Sequence, residues 1–246
     1  MATSTPSARA RNGLVPPPPT DRPAIGRPLF LLNLKAYPGA LGPGAERLAR
    51  ALEELAKERG VAAAIAPAAP DLGRVAATVS IPVLAQHVDA LEAGAHTGYV
   101  PPESVERAGG WGSLVNHSEH PLPTATVGTT VERLRALGLS AVVCARDVRA
   151  ARRLAAFRPE YLAVEPPELI GGTRSVSTAR PEVVSGAVAA VRQVAPATIV
   201  LCGAGVHTRD DVSRAIELGS EGVLVASAVT RAGDPRAAID ELLRGF

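Results

Sequence analysis

Cysteine is nearly absent. Cys144 and Cys202 are the only two, and each sits inside an apolar run, where a buried, inert thiol is expected rather than a disulfide or a thiolate metal centre. That usage fits a reducing, cytoplasmic setting. No apolar run approaches the ~20 residues needed to span a bilayer, and the first 28 residues contain no stretch that could form a signal-peptide core. Lysine is scarce as well: Lys35 and Lys57 are the only two among 26 basic residues. Where arginine serves almost everywhere, a retained lysine points to a place that wants a compact ammonium. The net charge is only +2, and residues 1–28 carry four arginines against one aspartate, so the rest of the chain is at −1. No basic surface for nucleic acid follows from that balance.

The opening segment, 1–28, holds Pro16–Pro19 and little to bury. It is expected to be a disordered tail, such that deleting residues 2–26 leaves melting and activity unchanged. It is basic and contains hydroxyl residues, as transit peptides do, but its prolines oppose the amphipathic helix such a signal needs.

From Leu29 onward, short apolar or β-branched runs alternate with longer Ala/Leu/Arg/Glu segments of helical period, the pattern of parallel strands with crossover helices. The runs are LFLLNLK, VAAAIAP, IPVLAQHV, GSLVNHS, AVVCAR, YLAVEP, TIVLCGAG and GVLVAS. Helices are predicted over 44–59, 128–137, 147–157, 181–194 and 208–218. Eight such units in residues 29–246 predict an α/β fold, a single-domain (β/α)8 barrel. The absence of G-x-G-x-x-G behind the first run counts against a doubly wound dinucleotide-binding sheet.

Barrels of this kind gather their chemistry at the carboxyl ends of the strands. There the runs end in polar residues. Asn33 and Lys35 share one face by the period of two. His117, Ser118 and Glu119 stand where the fourth run turns into its helix, and Glu165 closes the sixth. A metal site from His87, His117, Glu119 and His120 is the rival reading, but metal-dependent barrel hydrolases usually place an H-x-H pair on strand one, which here reads N-L-K. The seventh and eighth runs end in CGAGV and ASA, small-residue turns whose N–H groups can approach an anion. Residues 163–172, AVEPPELIGG, join a stiff Pro166-Pro167 end to a free Gly171-Gly172 end and read as a lid swinging beside Glu165.

Taken in order, NLKAYP, AQHVD, GAHTG, NHSEH, VEPPELIGG, VLCGAG and LVASAV resemble the triosephosphate isomerase family in its short archaeal-type form, over residues 29–246. The resemblance implies interconversion of glyceraldehyde 3-phosphate and dihydroxyacetone phosphate through an enediolate, with no metal or organic cofactor. It implies Glu165 as the base, His117 as the electrophile, Lys35 as the offsetting cation, Asn33 as a further donor and Glu119 as the partner of Lys35. It also implies a phosphate grip from Ile170, Gly171, Gly205, Ala226 and Ser227. GAHTG implies self-association, as a homodimer or homotetramer. Neither a nucleic acid nor a membrane is an expected partner. The second hinge, GGTRSVS, departs from relatives that place a threonine between the glycines, and the tail has no counterpart in the short form. The alternative is a catalytically weak phosphosugar-binding or regulatory barrel, which would have no need of a base. A phosphosugar aldolase or synthase would use a Schiff-base lysine on a later strand, where none exists.

Overall fold

A computed structural model describes residues 25–172 and 175–246. The expected tail up to residue 24 and positions 173–174 of the second lid hinge lie outside the described residues. Eight parallel strands, β1 (Leu29–Asn33), β2 (Ala62–Ala66), β3 (Leu84–Ala85), β4 (Gly112–Val115), β5 (Ser140–Ala145), β6 (Tyr161–Val164), β7 (Ile199–Gly203) and β8 (Gly222–Val225), form one sheet. Their order is β2-β1-β8-β7-β6-β5-β4-β3. A parallel bridge between Ile65 and Val83, with the Ile65 N–H donating to the Pro82 carbonyl at 3.0 Å, joins the two ends into a barrel.

The helices wrap this barrel: α1 (Pro43–Arg59), α2 (Leu72–Ala76), α3 (Pro102–Arg107), α4 (Thr124–Ala136), α5 (Val148–Ala155), α6 (Val176–Ala179), α7 (Pro181–Val194), α8 (Arg209–Glu217), α9 (Ser227–Thr230) and α10 (Pro235–Leu243). No helix among the described residues is long and apolar enough to cross a membrane. Strand alternation splits the core in two. Leu29, Leu31, Ala64, Leu84, Leu114, Val142, Ala163, Leu201 and Leu224 fill the barrel interior. Phe30, Leu32, Ile65, Val143, Leu162 and Val200 face the other way, into the larger cluster shared with the helices. Strands covered on both faces have no polar side to show, which is why they read as nearly continuous apolar runs.

Helix ends shift by one or two residues from the sequence reading, and two boundaries differ by more. Helix α4 begins at Thr124 rather than 128, because Gly128 is not a helix boundary but a contact: a Cβ there would lie 2.7 Å from the Phe157 ring. Strand β3 keeps only two residues of its run, since Pro82 has no N–H for the ladder and Gln86 turns away to bind the carbonyls of Lys35 and Ala66.

A third difference concerns the tail. Among the described residues, packing against the barrel is already present at Ile25, within the segment expected to be tail. Ile25 is buried at the amino-terminal mouth, its carbonyl accepts the Tyr161 hydroxyl at 2.7 Å, and Arg27 pairs with Glu221 at 2.8 Å. Burial, followed by the nearby Glu160 charge, pushes the Tyr161 phenol up to about 12, so the donor keeps its proton. The proposed 2–26 deletion would therefore remove a buried anchor. Ile25→Ala is expected to cost about 2–5 kcal/mol, read as a lowered denaturation midpoint at unchanged slope. An unchanged midpoint would return residues 25–28 to the tail.

Candidate active site

At the end of β1 the side chains of Leu29, Leu31 and Asn33 alternate inward, and Asn33 is buried where the hydrocarbon layers stop. Lys35 follows with φ of 50°, in the left-handed region that a lysine rarely adopts. The turn is clamped from two sides. Asn33 Oδ1 accepts the Lys35 N–H at 3.0 Å, and Gln86 Nε2 donates to the carbonyls of Lys35 and Ala66, each at 3.0 Å. Such strain persists where the surroundings over-determine it. The side chain that results is only 13% exposed, and its ammonium donates to Glu119 Oε1 at 2.7 Å.

Strand β4 ends in a similar device. Asn116 takes φ of 62°, a conformation its short amide tolerates, and it staples two segments: Nδ2 donates to the Cys144 carbonyl and Oδ1 accepts the Leu122 N–H, both at 2.9 Å. The next side chain, His117, is thereby aimed into the barrel mouth and buried. Its Nδ1 accepts the Glu119 N–H at 3.2 Å. A nitrogen that accepts carries no proton, so the ring proton sits on Nε2.

Nε2 faces Glu165 Oε2 at 3.8 Å, beyond hydrogen-bonding distance. Glu165 follows Ala163 on the inward face of β6, is only 5% exposed, and is tethered by its own N–H to the Ala145 carbonyl at 2.8 Å. Its Oε2 has no hydrogen-bond partner among the described residues. A buried carboxylate oxygen left unpaired is costly and calls for a reason. The other contact to this carboxyl is the Cys144 thiol, which burial and then the Glu165 charge push well above the usual thiol range. The thiol is therefore a proton-bearing neighbour and not a nucleophile.

Asn33, Lys35, His117 and Glu165 line one cleft together with Ile170, Gly171, Gly205, Ala226 and Ser227. Glu119 stands behind it, on Lys35. The cleft is narrow, with a cavity volume of about 30 Å³. Its roof is the segment after β6, in which Pro167–Leu169 make one 3₁₀ turn, Gly171 takes φ of 70°, and Glu168 pairs with Arg180 at 2.6 Å. The cleft thus offers a carboxylate, an imidazole N–H and an ammonium around one small space, with backbone from the β7 and β8 turns at its far side.

The sequence reading missed four participants. Cys144 looked like any core thiol, and Gln86, though inside AQHVD, was given no role. Ala204, with φ of 71°, and His207, whose Nδ1 lies 2.8 Å from the Gly205 carbonyl, also line the cleft. The rival metal set does not converge. His87 and His120 stack ring on ring at 3.9 Å and 17°, Glu119 is engaged by Lys35, and no group of three His, Cys, Asp or Glu among the described residues could hold an ion.

Comparison with known proteins gives this geometry a family. The family model described as triosephosphate isomerase matches residues 28–242. A triosephosphate isomerase of Methanosarcina acetivorans is 44% identical over 220 residues, covering 89% of this chain and 99% of the relative. That of Methanothermus fervidus is 45% identical over 219 residues, with 89% and 99% covered. That of Methanoculleus marisnigri is 46% identical over 216 residues, with 88% and 97% covered. With its eight-stranded barrel and one convergent cleft at the strand ends, the chain belongs to the triosephosphate isomerase family.

Proposed function

We propose that the cleft interconverts glyceraldehyde 3-phosphate and dihydroxyacetone phosphate by moving one proton between adjacent carbons. The observation that carries this reading is the buried Glu165 carboxylate, whose Oε2 has no hydrogen-bond partner among the described residues and faces the proton-bearing Nε2 of His117. Abstracting a proton next to a carbonyl needs a base and, at the oxygen, something to receive the charge. Glu165 takes the proton from the carbon alpha to the carbonyl. The electron pair moves onto the carbonyl oxygen and leaves an enediolate. His117 Nε2–H donates to its oxygens in turn, the Lys35 ammonium offsets the charge, and Asn33 adds a donor. The resulting carboxylic acid of Glu165 then gives its proton to the neighbouring carbon while the hydroxyl proton passes from one substrate oxygen to the other by way of His117 Nε2, so nothing is gained or lost overall.

Ile170, Gly171, Gly205, Ala226 and Ser227 are assigned to the phosphate. The Pro166–Gly172 segment, whose Ile170 and Gly171 line this narrow cleft, is assigned to lift for the substrate and settle again to exclude solvent. The protein is assigned to the cytoplasm and to a homo-oligomer. Support for the latter is the segment around Gly94–Gly98, ending at Tyr99, which is 56% exposed despite its large ring.

The test is a coupled assay on purified protein with glyceraldehyde 3-phosphate. Turnover is expected, and it should survive dialysis against a strong chelator, because the groups in the cleft act through protons and fixed charge. Absence of turnover, or turnover that chelation abolishes and zinc or magnesium restores, would overturn the reading.

A further inference from the structure

Glycine weakens a strand, since it adds backbone entropy and packs no side chain. Gly203 nevertheless ends β7. Its φ is not positive, unlike that of Gly205 at 71°, so the backbone does not demand glycine there. The register explains the position. Val164 pairs with Cys202, so the next step along both strands sets Gly203 beside Glu165. A Cβ built on Gly203 would lie 2.4 Å from Glu165 Cγ, 2.8 Å from Oε1 and 2.9 Å from Cδ. These three nearest atoms all belong to one side chain. At Gly112 and Gly222 a Cβ would instead strike strand backbone, at 2.0 and 2.2 Å from carbonyl oxygens. Those glycines serve the barrel wall; Gly203 serves Glu165.

From this contact we infer that Gly203 is a positioning residue for the proton transfer: its missing side chain is the space in which the Glu165 carboxylate is held opposite His117. The inference rests on Glu165 being the base. The carboxylate cannot yield freely, because it is buried, the Cys144 thiol bears on it, and its backbone N–H is tied to Ala145. Ordinary contact at 3.4–4 Å in place of 2.4 Å means a displacement of about 1 Å. A misplacement of that size can cost about 10²-fold in rate.

Gly203→Ala is therefore expected to lower kcat about 10²-fold. KM for glyceraldehyde 3-phosphate, and competitive inhibition by inorganic phosphate, should stay within a few-fold, because the groups assigned to phosphate lie on other residues. A cycle with Glu165→Ala separates positioning from general damage. Once the Glu165 side chain beyond Cβ is gone, adding Gly203→Ala should lower neither the residual rate nor the melting temperature further. Should the single Gly203→Ala variant fail to fold, the Glu165→Ala/Gly203→Ala protein should still fold, since the three atoms nearest the added Cβ are gone. Full activity of Gly203→Ala, equal losses in both backgrounds, or misfolding of both variants would overturn the inference. The wild-type assay decides the isomerase reading separately, since a wild type without turnover removes that reading before any variant is measured.

Discussion

Glu165→Gln is expected to lower kcat by about 10²–10⁴-fold, the usual worth of a positioned general base, while KM changes little. Glutamine keeps the length and planarity of the side chain and its place beneath Gly203, so the substrate meets nearly the same walls. What it lacks is a basic oxygen. In the native site that oxygen is Oε2, which is buried without a hydrogen-bond partner among the described residues and stands 3.8 Å from the Nε2 of His117. A group used only as the proton moves shows its loss in kcat rather than in ground-state binding. Steady-state kinetics in both directions, with melting as a control for folding, make the measurement. Near-normal turnover would mean that Glu165 is not the base.

Removing Glu168, Leu169 and Ile170 from the roof of the cleft is expected to lower kcat/KM by about 10²-fold or more and to change the products. An enediolate beside a phosphate ester expels phosphate whenever its C–O bond aligns with the π system. A site that holds the phosphate in the molecular plane suppresses that path. Ile170 and Gly171 line the cleft from above, and Glu168 fastens the same turn to Arg180. Without them, a larger share of turnover should end in inorganic phosphate and methylglyoxal. Glyceraldehyde, which has no phosphate to grip, should react slowly with the intact protein and be little affected by the deletion, because remote binding energy is what it lacks. If the shortened protein keeps both its rate and its product ratio under saturating substrate, residues 163–172 are an ordinary connector.

The barrel was legible because its strands are covered on both faces and its chemistry stands where apolar runs stop. LFLLNLK announces both a buried strand and the two polar side chains that leave it. Asn33, Lys35, His117 and Glu165 each occupy such an ending, so pattern alone could gather them at one mouth. Residues that act by distance left no such mark. Gly128 resembled a helix boundary, yet it is a point of close approach to Phe157. Gly203 resembled a turn former, and its role depends on a neighbour across a strand pair, 38 positions earlier in the chain. Cys144 resembled core filling because only the register brings it to Glu165. Ile25, a lone apolar residue after a proline-rich stretch, carried no periodic signal, and its burial depends on the cavity floor formed by Tyr161 and its neighbours.

The seating of Ile25 has a practical side. It anchors the start of the described chain at the amino-terminal mouth of the barrel, against Tyr161 at the beginning of β6, whereas Glu165 stands beyond the opposite end of that same strand. Four residues of β6 and the interior layers of Leu31, Leu114 and Leu201 separate the two. Immobilising the enzyme on a solid support through a surface position beside Ile25 would thus turn the substrate cleft toward the flowing solution. The same polarity makes the Ile25 end of the barrel the one at which a reporter can be attached without crowding the roof segment.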